Sequence, residues 1–143
     1  WSTPILCDRR ALIPRPETEL LVQAALECAA GRSDPAIADI GTGTGCVIIA
    51  LAKELPGAGL VASDVSAEAL ALAMDNLKQA GLADRVRLLQ GDLVQPFREA
   101  GLAGCFDVVA SNPPYVADGE MERLQPEVKD HDPAMALRGG RTG

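Results

Sequence analysis

Asn112-Pro113-Pro114-Tyr115 is the stretch whose residue types point most directly to chemistry. Two consecutive prolines fix φ and donate no N–H, so the segment is stiff and its carbonyls stay open to an outside donor. A planar NH2 group, as in an amide or an aromatic amine, carries two N–H donors. The Asn112 side-chain oxygen and the Pro113 carbonyl accept one each, while Tyr115 packs on the flat face of the group. Such a nitrogen is a poor nucleophile because its lone pair is delocalised. Two acceptors polarise its N–H bonds and aim it in line with an electrophilic carbon and the group that leaves, so positioning and electrostatics supply the acceleration. No strong general base is needed, since the nitrogen becomes acidic as the new bond forms. A rigid turn alone would not call for Asn, two prolines and an aromatic together. Asn112, Pro113, Pro114 and Tyr115 are therefore expected to form the catalytic element.

Three further elements suggest what the electrophile is. Gly41-Thr42-Gly43-Thr44-Gly45 follows the apolar run Ala36–Ile40 and precedes a helical pattern, so its glycines permit a tight strand-to-helix turn that a ligand can approach closely. A dinucleotide fingerprint, G-x-G-x-x-G, would place a third glycine at position 46, where the chain has Cys46. The spacing G-x-G-x-G instead resembles the first motif of the Rossmann-like methyltransferases, which bind S-adenosyl-L-methionine. Asp64, 19 residues past Gly45 at the end of the second apolar run, has two acceptor oxygens suited to two ribose hydroxyls. Gly91-Asp92-Leu93 ends the third run. There Asp92 can accept from an adenine amino group and Leu93 can pack on the ring, although Gly-Asp is also ordinary turn chemistry. The expected cofactor contacts are Gly41, Thr42, Gly43, Thr44, Gly45, Asp64, Asp92, Leu93 and Asn112.

These segments need a scaffold that brings strand ends together, and the hydrophobic pattern provides one. Residues 1–16 read as loop, with Pro4, Pro14 and Pro16. A helix is expected over 17–30, with Leu21, Ala24, Ala25 and Cys28 on its apolar face and Gly31 as its stop. Strand 36–40, helix 46–53 and strand 60–63 follow. A helix capped by Ser66 comes next, with Glu68 in its first turn and an apolar face of Leu70, Ala73, Met74 and Leu77. Strands 86–89 and 106–111 complete the pattern. Short apolar strands alternating with amphipathic helices imply an α/β fold whose parallel sheet has helices on both faces. In such sheets ligands bind beyond the carboxyl ends of the strands, where every unusual polar or Gly-rich element of this chain falls. Two parts are expected: residues 1–35, a substrate-side loop and first helix, and residues 36–143, the first four strands with their connecting helices.

Composition narrows the classes. The chain has 143 residues, 48% of them hydrophobic and 23% charged, as in ordinary globular domains. No apolar run reaches the roughly 20 residues of a membrane span, and the N-terminal residues show no apolar signal core. A net charge of −7, with Arg9-Arg10 the only adjacent basic pair, argues against a surface that neutralises several phosphates. Cys7, Cys28, Cys46 and Cys105 form no CxxC pair and His131 stands alone, so no metal site is expected. The four cysteines read as reduced core thiols of a cytoplasmic protein. His131 reads as solvated and Asp118-Gly119-Glu120 as an exposed turn. The first residue is Trp1 rather than Met, so the chain is expected to be part of a longer product.

Taken together, the motifs resemble the HemK/PrmC family of peptide chain release factor glutamine methyltransferases over nearly the whole chain. The resemblance is carried by 12–19 (Leu-Ile-Pro-Arg-Pro-Glu-Thr-Glu), 39–45 (Asp-Ile-Gly-Thr-Gly-Thr-Gly), 63–66 (Ser-Asp-Val-Ser) and 111–116 (Ser-Asn-Pro-Pro-Tyr-Val). The tail 132–140 is similar to a family signature that usually has Glu before the proline, where this chain has Asp132. The tetrad alone is shared with adenine-N6 DNA methyltransferases, and the Pro-Arg-Pro-Glu-Thr-Glu segment tips the choice. The resemblance implies that Arg15, Pro16, Glu17 and Thr18 line the substrate side of the pocket. Glu17, Thr18 and Glu19 also suit a helix start, with acids and a capping hydroxyl in the first turn. It further implies S-adenosyl-L-methionine as cofactor, the glutamine of a Gly-Gly-Gln motif in a release factor as acceptor, a class I methyltransferase fold, an N-terminal helical domain, and C-terminal strands beyond the four found here. The alternatives are an adenine-N6 nucleic-acid methyltransferase and a non-catalytic cofactor-binding fragment.

Overall fold

The computed structural model describes residues 3–123 and 133–143; Trp1, His131 and Asp132 lie outside them. Four parallel strands form the main sheet: β1 (Ala36–Ile40), β2 (Gly59–Asp64), β3 (Val86–Gln90) and β4 (Val108–Ser111), in the order β3-β2-β1-β4. The register pairs Ile40 with Ser63 on one side and with Ser111 on the other. The residues that follow β1, β2 and β4 therefore emerge side by side at one end of the sheet. Ser111 Oγ donates to the Ile40 carbonyl at 2.9 Å and fastens that end.

The connecting helices are α1 (Thr18–Ala29), α2 (Cys46–Glu54), α3 (Ala67–Gln79) and a short α4 (Gln95–Glu99). Every residue of α2 from Val47 to Ala52 is buried, so this helix is apolar all round and sits in the core. Ser66 caps α3 as expected, its side chain accepting from Ala69 N at 3.2 Å. Phe97 of α4 meets Phe106 edge to face, ring centroids 5.3 Å apart, and seals the chain entering β4.

Several sequence expectations need correction. The buried face of α1 is Val22, Ala25 and Ala29, while Ala24 and Cys28 are exposed. An alanine-rich helix has two nearly equivalent small-residue faces, and packing against α2 and β4 selects one of them. The face of α3 is rotated too: Ala69, Leu72, Ala73, Asn76 and Leu77 are buried, and Leu70 and Met74 only half-buried. Ala69 and Leu72 pack with Ala11 from the N-terminal loop, which periodicity within the helix cannot reveal. Cys7, Cys28 and Cys105 are exposed rather than core thiols, and Cys46 is intermediate. The N-cap position of α1 is Glu17, without a side-chain capping bond. β4 begins at Val108, because Asp107 turns its carboxylate onto the Ala36 N–H at 2.9 Å instead of extending the strand.

Beyond the tetrad lie elements too short to carry a periodicity. β5 (Val116–Ala117) pairs in parallel with β6 (Arg138–Gly140), and α5 (Ala134–Leu137) leads into β6. Asp118, expected in a turn, opens a 3-10 helix running to Arg123 and is salt-bridged to Arg138 at 3.1 Å. Among the described residues no helix is long and apolar enough to cross a membrane.

Candidate active site

The Gly-rich turn is built by three left-handed glycines, Gly41, Gly43 and Gly45, at φ of 73°, 55° and 80°. At Gly45 the requirement is double, because a Cβ there would also stand 3.2 Å from the Ala73 Cβ. The N–H groups of Gly41 and Thr42 both donate to the Ser63 carbonyl at 2.9 Å, folding the turn over the end of β2. Asp64 completes the staple: its Oδ2 accepts from Gly43 N at 2.9 Å and its Oδ1 from Ser66 N at 3.0 Å. One bond on each oxygen orients the carboxylate and leaves each oxygen acceptor capacity for an outside hydroxyl.

Beneath the turn lies Asp39, which the motif contained but the sequence reading did not single out for a role. It is 2% exposed and accepts from Thr42 Oγ1 at 2.6 Å. Burial raises its pKa to about 6. The Thr42 hydroxyl and the Ile48 N–H pull it down, and the charge of Asp64 pushes it further up. Its signal in the sequence was a charged residue inside an apolar strand, where only a hydrogen-bonded or functional acid survives burial.

A cavity of about 220 Å3 opens over this turn. Gly41, Thr42, Gly43, Thr44 and Asp64 line it, and Asn112 and Pro114 border it from the neighbouring strand end. Pro113 and Tyr115 are not in its lining; Tyr115 is 73% exposed. Asp92 and Leu93 lie outside it, both exposed, although the Gly91 N–H donates to the Asp64 carbonyl at 3.1 Å and holds their loop beside the site. Leu93 is the sole non-glycine with positive φ among the described residues, at 45°. Two walls are built of residues not named among the expected contacts. The N-terminal loop contributes Arg9, Arg10, Ala11 and Leu12, and the tail contributes Pro133, Met135 and Ala136. Neither segment has a periodicity, so only the folded chain reveals them.

The expected substrate-side residues surround a second cavity of about 650 Å3, lined by Arg15, Pro16, Thr18 and Glu19 together with Ile5 and Val22. Pro14, Thr18 and Cys46 border both cavities, so the two adjoin. Glu17 lines neither.

The family model of the methyltransferase small domain matches residues 16–128. The chain belongs to that family. It is 43% identical to the release factor glutamine methyltransferase of Chlorobaculum tepidum, over 91% of this chain and 46% of the relative. It is 41% identical to the protein of the same name from Bradyrhizobium diazoefficiens, over 100% of this chain and 48% of that one. The chain thus spans about half the length of the curated relatives it matches. Among solved structures, an RNA methyltransferase from Salinibacter ruber in complex with S-adenosyl-L-homocysteine superposes with a TM-score of 0.55 at 27% identity, covering 85% of this chain and 72% of that one. The parallel sheet with flanking helices is the class I S-adenosylmethionine-dependent methyltransferase fold, as the sequence pattern led one to expect.

Proposed function

We propose that the chain carries the catalytic site of a protein that transfers a methyl group from S-adenosyl-L-methionine to the side-chain amide of glutamine in the Gly-Gly-Gln motif of a peptide chain release factor, a cytoplasmic reaction. One observation carries the reading: the pairing of Ile40 with Ser111 sets Asn112 beside the Gly-rich turn and Asp64 in a single cavity. The names of the relatives supply the acceptor.

The residues fit the cofactor. Asp64 has acceptor capacity left for two ribose hydroxyls; Asp39, Asp64 and Glu68 outnumber Arg9 and Arg10 in the lining, and Arg10 is already paired with Asp8 and Asp75, a balance that admits a cationic ligand. The Gly43 N–H is already taken by Asp64, so the turn is less suited to cradling a pyrophosphate than a dinucleotide site would be. The loop carrying Asp92 and Leu93 is the proposed adenine contact. Its support is the bond that ties it to Asp64 and the left-handed Leu93, an outlier of the kind that clusters at ligand sites.

When bound, the cofactor supplies an electrophilic methyl on a sulfonium. Asn112 Oδ1 and the Pro113 carbonyl accept the two amide N–H groups and orient the nitrogen, and Tyr115 lies against the amide plane. Arg15, Pro16 and Thr18 guide the acceptor from the adjoining cavity, with Glu17 at the start of α1 outside its lining. The nitrogen's proton would pass to solvent as the new carbon–nitrogen bond replaces the methyl carbon–sulfur bond, whose electron pair would go to sulfur, with no dedicated base.

The test is methyl transfer from labelled cofactor by the full-length protein. A release factor should be labelled, its Gly-Gly-Ala version should not, and DNA and RNA should stay unlabelled. Asn112→Ala should cut turnover by about a hundredfold while leaving cofactor affinity near wild type. Tyr115→Ala should also slow turnover, Tyr115→Phe less so. Near-wild-type turnover in Asn112→Ala would make the tetrad structural. Labelling of nucleic acid instead would move the acceptor to adenine, and cofactor binding without transfer to any acceptor would leave a binding module.

A further inference from the structure

Residues 5–14 contain neither helix nor strand, yet Arg10, Ala11, Leu12 and Pro14 form one wall of the smaller cavity. A segment without its own hydrogen-bond ladder needs an outside anchor to hold a fixed position. That anchor is the side chain of Asn76 on α3, 1% exposed. The Leu6 N–H donates to Asn76 Oδ1 at 2.7 Å, and Asn76 Nδ2 donates back to the Leu6 carbonyl at 3.1 Å. The same Nδ2 donates to the Thr44 carbonyl at 2.9 Å. One amide therefore grips the backbone of the N-terminal segment and the backbone of the Gly-rich turn at once. A second tether lies one residue earlier on the helix, where Asp75 accepts from Arg10 Nη1 at 3.0 Å. Just past the second tether Ala11 packs on Ala69 and Leu72, and a Cβ added at Gly43 would stand 3.8 Å from the Ala11 Cβ.

We propose that Asn76 is a positioning residue for the methyl donor: it locks the segment 5–14 and the turn 41–45 into one cofactor-binding wall. The chemistry separates this from core filling. An apolar side chain would fill the space on α3 without placing a polar group in the interior, which is costly unless satisfied. The three bonds here satisfy the amide and are spent on two separate segments, both of which border the cavity. The proposal rests on the reading of that cavity as the S-adenosyl-L-methionine site.

The experiment measures S-adenosyl-L-homocysteine binding by titration calorimetry on the full-length protein, beside thermal melts and hydrogen exchange at the Leu6 amide. Asn76→Asp keeps the shape and the acceptor for Leu6 N–H but loses both donors. Its folded fraction, read from the stoichiometry, should bind about tenfold more weakly or worse, as the loss of one or two buried hydrogen bonds from a binding wall predicts. The Leu6 amide should exchange faster in parallel. Asp75→Asn removes the charge from the outer tether alone, leaves the core untouched, and should weaken binding by about two- to threefold, in line with a partly exposed ion pair. It keeps the proposal testable if Asn76→Asp does not fold. A wild-type protein that fails to bind overturns the cofactor reading. Wild-type binding that both variants retain unchanged, with only the melting temperature lowered, overturns the role of Asn76.

Discussion

Replacing Asp64 should damage the site in two separable ways. Its carboxylate holds Gly43 N and Ser66 N at 2.9 and 3.0 Å before any ligand arrives, so Asp64→Ala leaves two backbone donors without their partner. The group is half-buried, water replaces part of what is lost, and a stability loss at the lower end of the range for hydrogen bonds to charged groups follows, about 1.5–2 kcal/mol. Affinity should fall further, since the acceptors for two ribose hydroxyls disappear along with the staple that shapes the turn. About 1.5–3 kcal/mol of binding corresponds to a dissociation constant raised by roughly ten- to a hundredfold. Asp64→Asn is the sharper variant. Its oxygen keeps one backbone N–H, its amide sets donor against donor at the other, and its affinity should lie between wild type and Asp64→Ala. Calorimetry with S-adenosyl-L-homocysteine and parallel melts read both effects. If Asp64→Ala binds and melts like wild type, Asp64 belongs neither to the site nor to the staple. NAD binding more tightly than S-adenosyl-L-methionine would refute the assignment of the whole cavity.

Asp39 makes stability depend on pH in the sense opposite to a salt-bridged acid. Its pKa is raised from 3.8 to about 6 in the fold, so its contribution is full below about pH 4 and is lost as pH rises through 6. Against Asp39→Asn, which does not titrate, wild type should gain about 2 kcal/mol between pH 7 and pH 4, and a flat difference in denaturant melts would show that the acid is not desolvated. Gly139 of β6 lies against the tetrad, where an added Cβ would stand 2.9 Å from the Pro114 carbonyl oxygen and from the Tyr115 Cα, both backbone atoms that cannot swing away. Gly139→Ala should therefore slow turnover by up to about a hundredfold with cofactor affinity retained, whereas Gly119→Ala, with open space around it, should not; equal rates in the two variants would remove the tail from the site.

The sequence by itself determined the alternation of strands and helices, because burial on both faces of a parallel sheet demands continuous apolar runs such as Ile37-Ala38. It also determined the Gly-rich turn and the tetrad, because left-handed backbone and a stiff Asn-Pro-Pro segment can be written only with those residue types. Asp64 was legible at the end of its strand for the same local reason. What the tertiary structure decided is how these pieces meet. The register of β1 with β4 puts Asn112 beside Gly41, and no pattern within either strand encodes a pairing across 71 residues. Which face of α1 or α3 turns inward was undetermined, since small apolar residues lie on both sides of each helix and the neighbour makes the choice. The N-terminal loop and the tail 133–143 carried motifs but no sign of where they sit, for a related reason: their order comes from partners distant in sequence. Asn76 grips Leu6 across 70 residues, and Arg138 reaches Asp118 from the far side of the tetrad. A periodicity records only what an element does with itself, whereas the cavity walls depend on contacts between elements.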